Sequence, residues 1–367
     1  MIAWQDPSGV APEFVSQWRD LLRDSISSIV YLSPDFVLGA ARTFAGDDLR
    51  IVSMSSGQEL QALAVLEDKD CPLAVPARTM GLFKSKHSFH SGLLLRPDIP
   101  DSDLDAFLAE VMRRAPCLQL SDFCLDTKLA ERLFASADRL KLGRYEAKRY
   151  ERATLRSNIT VEEWEAGIRP KKLKEFNRLW GRLNEQGECS WRLVWPDEIT
   201  AESVESFLKL EHGGWKGEEG DSLMSNPREA EFFRQVVADL AEQDGVFFAE
   251  IVVDDAIVAS SVNFKAGDEA YAFKVAWEPS LKKFSPGIMN EVAFIRHVAT
   301  SDVPFRYIDS GASADSYINA LWPGRVTMLN GCLLRGGPLK ATAQLVTKAR
   351  AAKRAIGVWR NRGVDKQ

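Results

Sequence analysis

Apolar residues in this chain switch between two spacings from one end to the other, and that alternation most constrains the fold. Recurrence at i, i+3 and i+4 predicts helices over 15–29, 102–115, 128–140, 201–212 and 227–243. Short alternating or β-branched runs predict strands over 49–54, 60–66, 117–120, 150–155 and 190–195. Thr160-Val-Glu-Glu163 reads as a capping box, and Arg169-Pro170 opens another helix. Strands over 246–253, 257–265 and 270–277 are expected to be antiparallel, joined by Asp254-Asp255 and Gly267-Asp268. A helix from Pro286, a strand over 305–309, a short helix near 314–321, a strand over 327–334 and a basic tail helix complete the chain. This interleaving predicts an α/β (α+β) protein with mixed sheets flanked by helices. A boundary near 156–168 divides it into halves 1–160 and 161–367.

The 367 residues suffice for a core without disulfides or metals. A net charge of −5 excludes a globally basic nucleic-acid binder. The charge is unevenly spread. From Lys340 onward, Lys340, Lys348, Arg350, Lys353, Arg354, Arg360, Arg362 and Lys366 face Asp365 alone, so the tail carries +7 and the remainder −12. Five scattered cysteines without a CxxC argue against a disulfide framework and for a reducing compartment. The first residues have no signal-peptide pattern, and no apolar run approaches membrane-spanning length, so a cytoplasmic protein is expected. Leu345, Ala349, Ala352, Ile356 and Trp359 form a helical stripe beside the basic residues. The segment 340–362 therefore either packs on the core or lies peripherally on an anionic inner membrane surface.

Four places carry residue types suited to chemistry. Glu211 falls on the apolar stripe of Val204, Phe207 and Leu208, where burial should raise its pKa toward that of a general base; water or Lys216 is the alternative partner. Lys274 lies between Ala272 and Ala276 on one strand face, either a cationic donor in a shallow groove or a solvated edge lysine. Lys282-Lys283-Phe284-Ser285-Pro286-Gly287 precedes a helix, with Ser285 as N-cap; a helix N-terminus beside two lysines attracts phosphate. Asp309 ends its strand, where ligands of open α/β sheets gather. The helix over 169–182 holds six basic residues against Glu175, a solvated face or an anion grip. His87 and His90 lack a third ligand at metal-binding spacing, so no metal is expected. No GxGxxG, Walker loop or GxSxG is present, and no cysteine has an activating context.

Three ordered stretches resemble one family: Leu208-Lys-Leu-Glu-His-Gly-Gly-Trp-Lys-Gly217, Ala272-Phe-Lys-Val-Ala-Trp-Glu-Pro279 running into Phe284-Ser-Pro-Gly287, and Asp309-Ser-Gly-Ala-Ser with Leu321-Trp322. Together they resemble the CelD-like and FemAB-like branch of the GNAT acyltransferases, over 165–335 by motif and over the first half by element order. The resemblance implies two GNAT-like acyl-CoA N-acyltransferase halves in tandem, the first degenerate. The donor would bind the second half as a co-substrate, acyl-CoA or an acyl-carrier thioester, with no permanently bound cofactor. Glu211 would be the base toward a primary amine. Backbone near Lys274 would stabilise the oxyanion. Asp309 would take the acceptor ammonium, and Tyr317 or Tyr271 would protonate the thiolate. Lys282, Lys283, Ser285, Pro286 and Gly287 would hold the donor, with Trp215, Lys216 and Trp277 beside the substrate. Trp277 stands where the family has tyrosine, so no role transfers there.

The implied acceptor is an amine of a bacterial lipid, amino-sugar or other envelope precursor, a long-chain amino alcohol among them. The alternatives are FemAB-like aminoacyl transfer from charged tRNA and a non-catalytic scaffold in polysaccharide assembly. Neither DNA nor tRNA is the expected partner.

Overall fold

The computed structural model describes residues 1–45 and 48–364, with side chains as far as 350 except that of Ala45. The first half runs β1 (Ile2–Gln5), α1 (Pro12–Arg23), α2 (Pro34–Ala40), β2 (Leu49–Ser56), β3 (Glu59–Lys69), β4 (Thr79–Leu82), β5 (Leu94–Leu95), α3 (Asp101–Arg114), β6 (Cys117–Cys124), α4 (Lys128–Arg139) and β7 (Gly143–Arg156). The second runs α5 (Val161–Ala166), α6 (Pro170–Asn184), β8 (Cys189–Val194), α7 (Ala201–His212), α8 (Trp215–Glu218), α9 (Pro227–Ala241), β9 (Val246–Val253), β10 (Ala256–Ala266) and β11 (Glu269–Trp277). It continues through α10 (Pro286–Val298), β12 (Tyr307–Asp309), β13 (Gly324–Leu334) and α11 (Gly337–Val364).

The helix expected over 15–29 stops at Arg23. Ser25 and Ile26 instead bond to Leu95, through a hydroxyl that accepts from the Leu95 N–H and an Ile26 N–H that donates to its carbonyl. The capping box at Thr160 forms, with Glu163 N–H donating to the Thr160 hydroxyl at 3.1 Å and Thr160 N–H to the Glu163 carboxylate at 3.0 Å.

All the strands join one mixed sheet, ordered β1-β2-β3-β4-β6-β13-β7-β12-β11-β10-β9-β8, with β5 on β3. Each half contributes four antiparallel strands and then a parallel one: β4 beside β6, and β11 beside β12. The two central strands are exchanged. β7, from the first half, pairs with β12, while β13, from the second, pairs with β6. β7 and β13 then pair with each other from Gly324↔Thr154 to Leu334↔Gly143.

In the second half, β11 and β12 are bonded only over Glu269–Tyr271, and β11 continues to Trp277 on β10 without β12. The strands part at Gly311, whose φ is +61° and whose Cβ would come within 3.0 Å of the Ala272 carbonyl. In the first half, β4 and β6 are bonded only over Thr79–Gly81. Beyond that point the segment 84–91 fills the gap: Lys84 pairs with Asp122, and Ser91 bridges Phe123 in parallel.

The same segment carries His90 into the seam between the halves. Its Nε2 lies 3.1 Å from Asp309 Oδ2, and Arg152 of β7 stands 3.6 Å from Asp309 Oδ1. All three side chains are buried. Burial raises the Asp309 pKa, but Arg152 and His90 outweigh it and hold the carboxyl below its ordinary value.

At the C-terminus, α11 lies on β7 through Leu339, Ala343 and Val346. The stripe read from the sequence is not this packing face, because Leu345 is 67% exposed and Ala349 is exposed as well. The side chains of Ala352, Ile356 and Trp359 lie outside the described residues.

Removing Arg152 leaves the buried Asp309 carboxylate with only the His90 imidazole and the Gly311 N–H. Arg152→Met is expected to destabilise the protein by about 3–5 kcal/mol, read as a lower urea midpoint. An unchanged midpoint would show that the seam does not depend on this charge.

Candidate active site

The apolar stripe of α7 forms as its spacing predicts. The Thr200 hydroxyl accepts the Ser203 N–H at 3.2 Å, and Val204, Phe207, Leu208 and Glu211 are all buried. Phe207 packs against Phe233 of α9 and Phe248 of β9, which turns the end of α7 toward β11. The chain then doubles back through α8. Gly217 is compulsory at this corner, since a Cβ would lie 1.8 Å from the His212 carbonyl oxygen.

The fold brings Glu211, Lys216 and Lys274 together. Glu211 Oε1 lies 3.1 Å from Lys216 Nζ and 3.5 Å from Lys274 Nζ, and Oε2 accepts the Leu223 N–H at 2.9 Å. Lys216 also donates to the Val275 carbonyl at 3.2 Å. The rise in pKa expected from burial is reversed. Burial does push the Glu211 carboxyl up, but Lys274, Lys216 and the Leu223 N–H outweigh it, so the group is held below its ordinary value. Burial lowers Lys274 below its ordinary value, against the pull of Glu211.

Lys274 owes its direction to a β-bulge. Val262 pairs with Lys274 but Asn263 with Ala272, so Phe273 is extra and the side-chain alternation shifts there. The face expected to hold Ala272, Lys274 and Ala276 does not form. Tyr271, Phe273 and Ala276 pack in the core that holds α7 and α9, and Lys274 turns toward Glu211 of α7. Ala272 and Trp277 join the core that holds α6 and α10.

The segment before α10 also departs from expectation. Residues Pro279–Phe284 form a 3₁₀ turn, and Ser285 is left-handed at φ 53°, ψ 53°, with no capping bond from its hydroxyl. Pro286 begins α10 as expected. A Cβ on Gly287 would stand 2.9 Å from Trp277, so this glycine lets the helix start tuck beneath the indole. Lys282 and Lys283 are exposed beside it.

Other expected site residues are dispersed. Trp215 is 52% and Tyr317 46% exposed. Tyr271 is buried, its hydroxyl donating to Glu269 at 2.8 Å. Asp309 is not open to an acceptor ammonium, because Arg152, His90 and the Gly311 N–H occupy its oxygens. The basic residues over 169–182 lie on exposed positions, with Arg178 paired to Glu175 at 2.5 Å. A cavity of about 1000 Å³ opens at the starting ends of β11 and β12, bordered by Lys128, Arg156, Glu269, Arg306 and Arg325, away from Glu211 and Lys274.

Sequence reasoning missed one contributor. His87, from the first half, reaches Glu229 of α9 with Nε2 2.8 Å from Oε2, and Lys86 lies 2.9 Å from Oε1. The imidazole ring meets Phe273, the neighbour of Lys274, at 6.2 Å. The only signal was the polar pair His87 and His90 in an otherwise apolar segment. Among the described residues, no group of His, Cys, Asp and Glu is placed to hold a metal ion.

The acetyltransferase (GNAT) domain family matches residues 170–317. The chain carries a GNAT acyltransferase domain. Among solved structures, FemX is similar over 92% of this chain and 98% of its own, at 11% identity and TM-score 0.59. The C-terminal domain assigned to a lysylphosphatidylglycerol synthetase of Agrobacterium fabrum is similar over 91% and 94%, at 11% identity and TM-score 0.53. A conserved protein of unknown function from Bacteroides thetaiotaomicron VPI-5482 is similar over 91% and 100%, at 13% identity and TM-score 0.53. At these identities the likeness is one of fold. No curated protein matches the sequence.

Within the GNAT domain, Glu211, Lys216 and Lys274 lie beside the part of β11 that β12 leaves unpaired. A buried carboxylate between two ammonium groups can exchange one of them for an incoming amine, and the excess cation can face a developing oxyanion. The stability this triad supplies has a defined pH window. With the folded pKa below the ordinary value of 4.5, the contribution is present above 4.5 and lost as pH falls through the folded value. The melting temperature of Glu211→Gln is expected to fall below that of wild type at neutral pH, and the gap to close as acid protonates Glu211. A gap independent of pH would show that Glu211 is not ionised in the folded protein.

Proposed function

We propose that the protein transfers an acyl group from an acyl thioester, on CoA or an acyl-carrier protein, to the primary amine of a lipid, amino-sugar or other envelope precursor. The observation that carries this reading is the Glu211–Lys216–Lys274 triad, a buried carboxylate between two half-buried lysines, where β11 runs on without β12. An incoming ammonium displaces Lys216 from Glu211, which takes its first proton as general base. The amine nitrogen attacks the thioester carbonyl carbon while Lys274 and the neighbouring strand backbone donate to the oxyanion. Trp215 and Trp277 are assigned to substrate contact. The carbon–sulfur bond then breaks with its electron pair on sulfur, and Tyr317 supplies the thiolate proton.

The donor's phosphates are assigned to the start of α10, where Pro286 and Gly287 present the first turn and Lys282 and Lys283 add charge. Ser285 contributes the left-handed turn that leads into it. Asp309 acts at one remove, by holding Arg152 and His90 at the seam. No helix among the described residues is long and apolar enough to cross a membrane. Peripheral contact through 340–362 is supported by the exposed Leu345, Ala349 and Lys348 on one stretch of α11.

Two measurements test the reading. Acetyl-CoA and palmitoyl-CoA are each incubated with glucosamine, ethanolamine and sphinganine, and free thiol is followed. Amine-dependent thiol release is expected, with kcat lowered on the order of 10²-fold or more by Glu211→Gln and by Lys274→Met. Absence of release and of any thermal stabilisation by either thioester would refute the acyl-CoA reading; tRNA binding that weakens steeply with salt would instead favour aminoacyl transfer. For the tail, the full chain is expected to float with anionic liposomes and a chain ending at Gly337 to remain behind. Equal recovery of the two would remove the membrane contact.

A further inference from the structure

An amine that arrives protonated must lose two protons to become an amide nitrogen. Glu211 accounts for one of them. Its two oxygens already face Lys216, Lys274 and the Leu223 N–H, so it is poorly placed to take the second.

We infer that the first half supplies the missing base: His87, oriented by Glu229, takes the second proton from the amine nitrogen at its Nδ1 atom. The inference rests on the acyltransferase reading above and adds a residue to it. His87 lies in the segment 84–91, which fills the first half's own gap between β4 and β6 and reaches Glu229 of α9 and Phe273 of β11 in the second half.

The geometry fixes the tautomer. Glu229 is ionised, because Lys86 and His87 outweigh its burial and hold it below its ordinary value. A carboxylate accepts hydrogen bonds only, so the imidazole presents Nε2–H to it at 2.8 Å and keeps its lone pair on Nδ1. Lys86 at 2.9 and 3.1 Å and the Asn226 amide at 3.3 Å hold the carboxylate in turn. Phe44, Phe232 and Phe273 flank the ring, and it lies within reach of the Lys274 charge.

The charged groups around the ring also time the transfer. Burial, reinforced by the Lys274 charge, lowers the His87 pKa to about 4 against the pull of Glu229, so the free ring is neutral. When the amine attacks, an oxyanion forms beside Lys274 and cancels part of that charge. The proton affinity of His87 therefore rises at the step that needs it. The new carbon–nitrogen bond is already made. The ammonium proton passes to Nδ1, the adduct collapses, sulfur leaves with the carbon–sulfur electron pair, and the imidazolium rests on Glu229 until solvent removes the proton.

The test uses the full chain with the thioesters and amines named above. His87→Phe keeps the ring shape without nitrogen. His87→Gln keeps an N–H for Glu229 without a basic site. Both are expected to lose amine-dependent kcat on the order of 10²–10⁴-fold, with the amine KM and the affinity for CoA changed less than about threefold. If His87→Gln stays within about threefold of wild type, the imidazole only packs and orients, and the inference fails. It fails equally if both variants lose CoA binding and melting temperature together. Wild-type protein that turns over no amine with either thioester would withdraw the acyltransferase reading, and this inference with it. Active wild type with unaffected His87 variants would withdraw the inference alone.

Discussion

The long antiparallel pairing of β7 with β13 is the contact on which the rest of the molecule depends. Each strand belongs by sequence to one half and borders the parallel strand of the other. The exchange makes one continuous sheet of two arrays that would otherwise present open edges. It also sets Arg152, in β7, against Asp309, at the end of β12. A buried carboxylate is tolerable only with charge-assisted partners, so the seam is defined by an ion pair as well as by strand bonds.

That seam explains why the second half's site is built from both halves. In each half a parallel pair of strands parts after three residues. The first half closes its gap with the segment 84–91, and the same residues then reach α9 and β12 of the second. Phe89 and His87 thus border the stretch of β11 that carries Lys274. The site's electrostatics follow from this packing. Glu211 and Glu229 are each buried and each kept ionised by neighbouring cations, while Lys274 and His87 are each biased toward their neutral forms by burial.

Much of the second half is legible in the sequence because its helices bury one face. Val204, Phe207, Leu208 and Glu211 recur at helical spacing, and the core reads that spacing directly. Thr160 and Glu163 cap a helix through bonds three residues apart, again a local matter. The features that are not legible arise from contacts distant in sequence or from single backbone turns. The bulge at Phe273 leaves no mark on the residue pattern, yet it redirects Lys274. The left-handed Ser285 occupies an N-cap position without capping. The pKa of Glu211 is the clearest case: its burial follows from the stripe, but its sign depends on Lys274, 63 positions away. His87 and Arg152 could not be assigned partners until the halves were set side by side.

The strand exchange has a consequence for how the chain comes to be folded. During synthesis the first half emerges with β6 and β7 complete but with their common neighbour, β13, still unmade. Its interior strands therefore present unsatisfied edges until residues 324–334 have left the ribosome. Pairings of such sequence separation are slow to close, and exposed edges invite association in the interval. The protein is thus committed to folding as one late, cooperative event, and neither half can be handed on alone as a finished module.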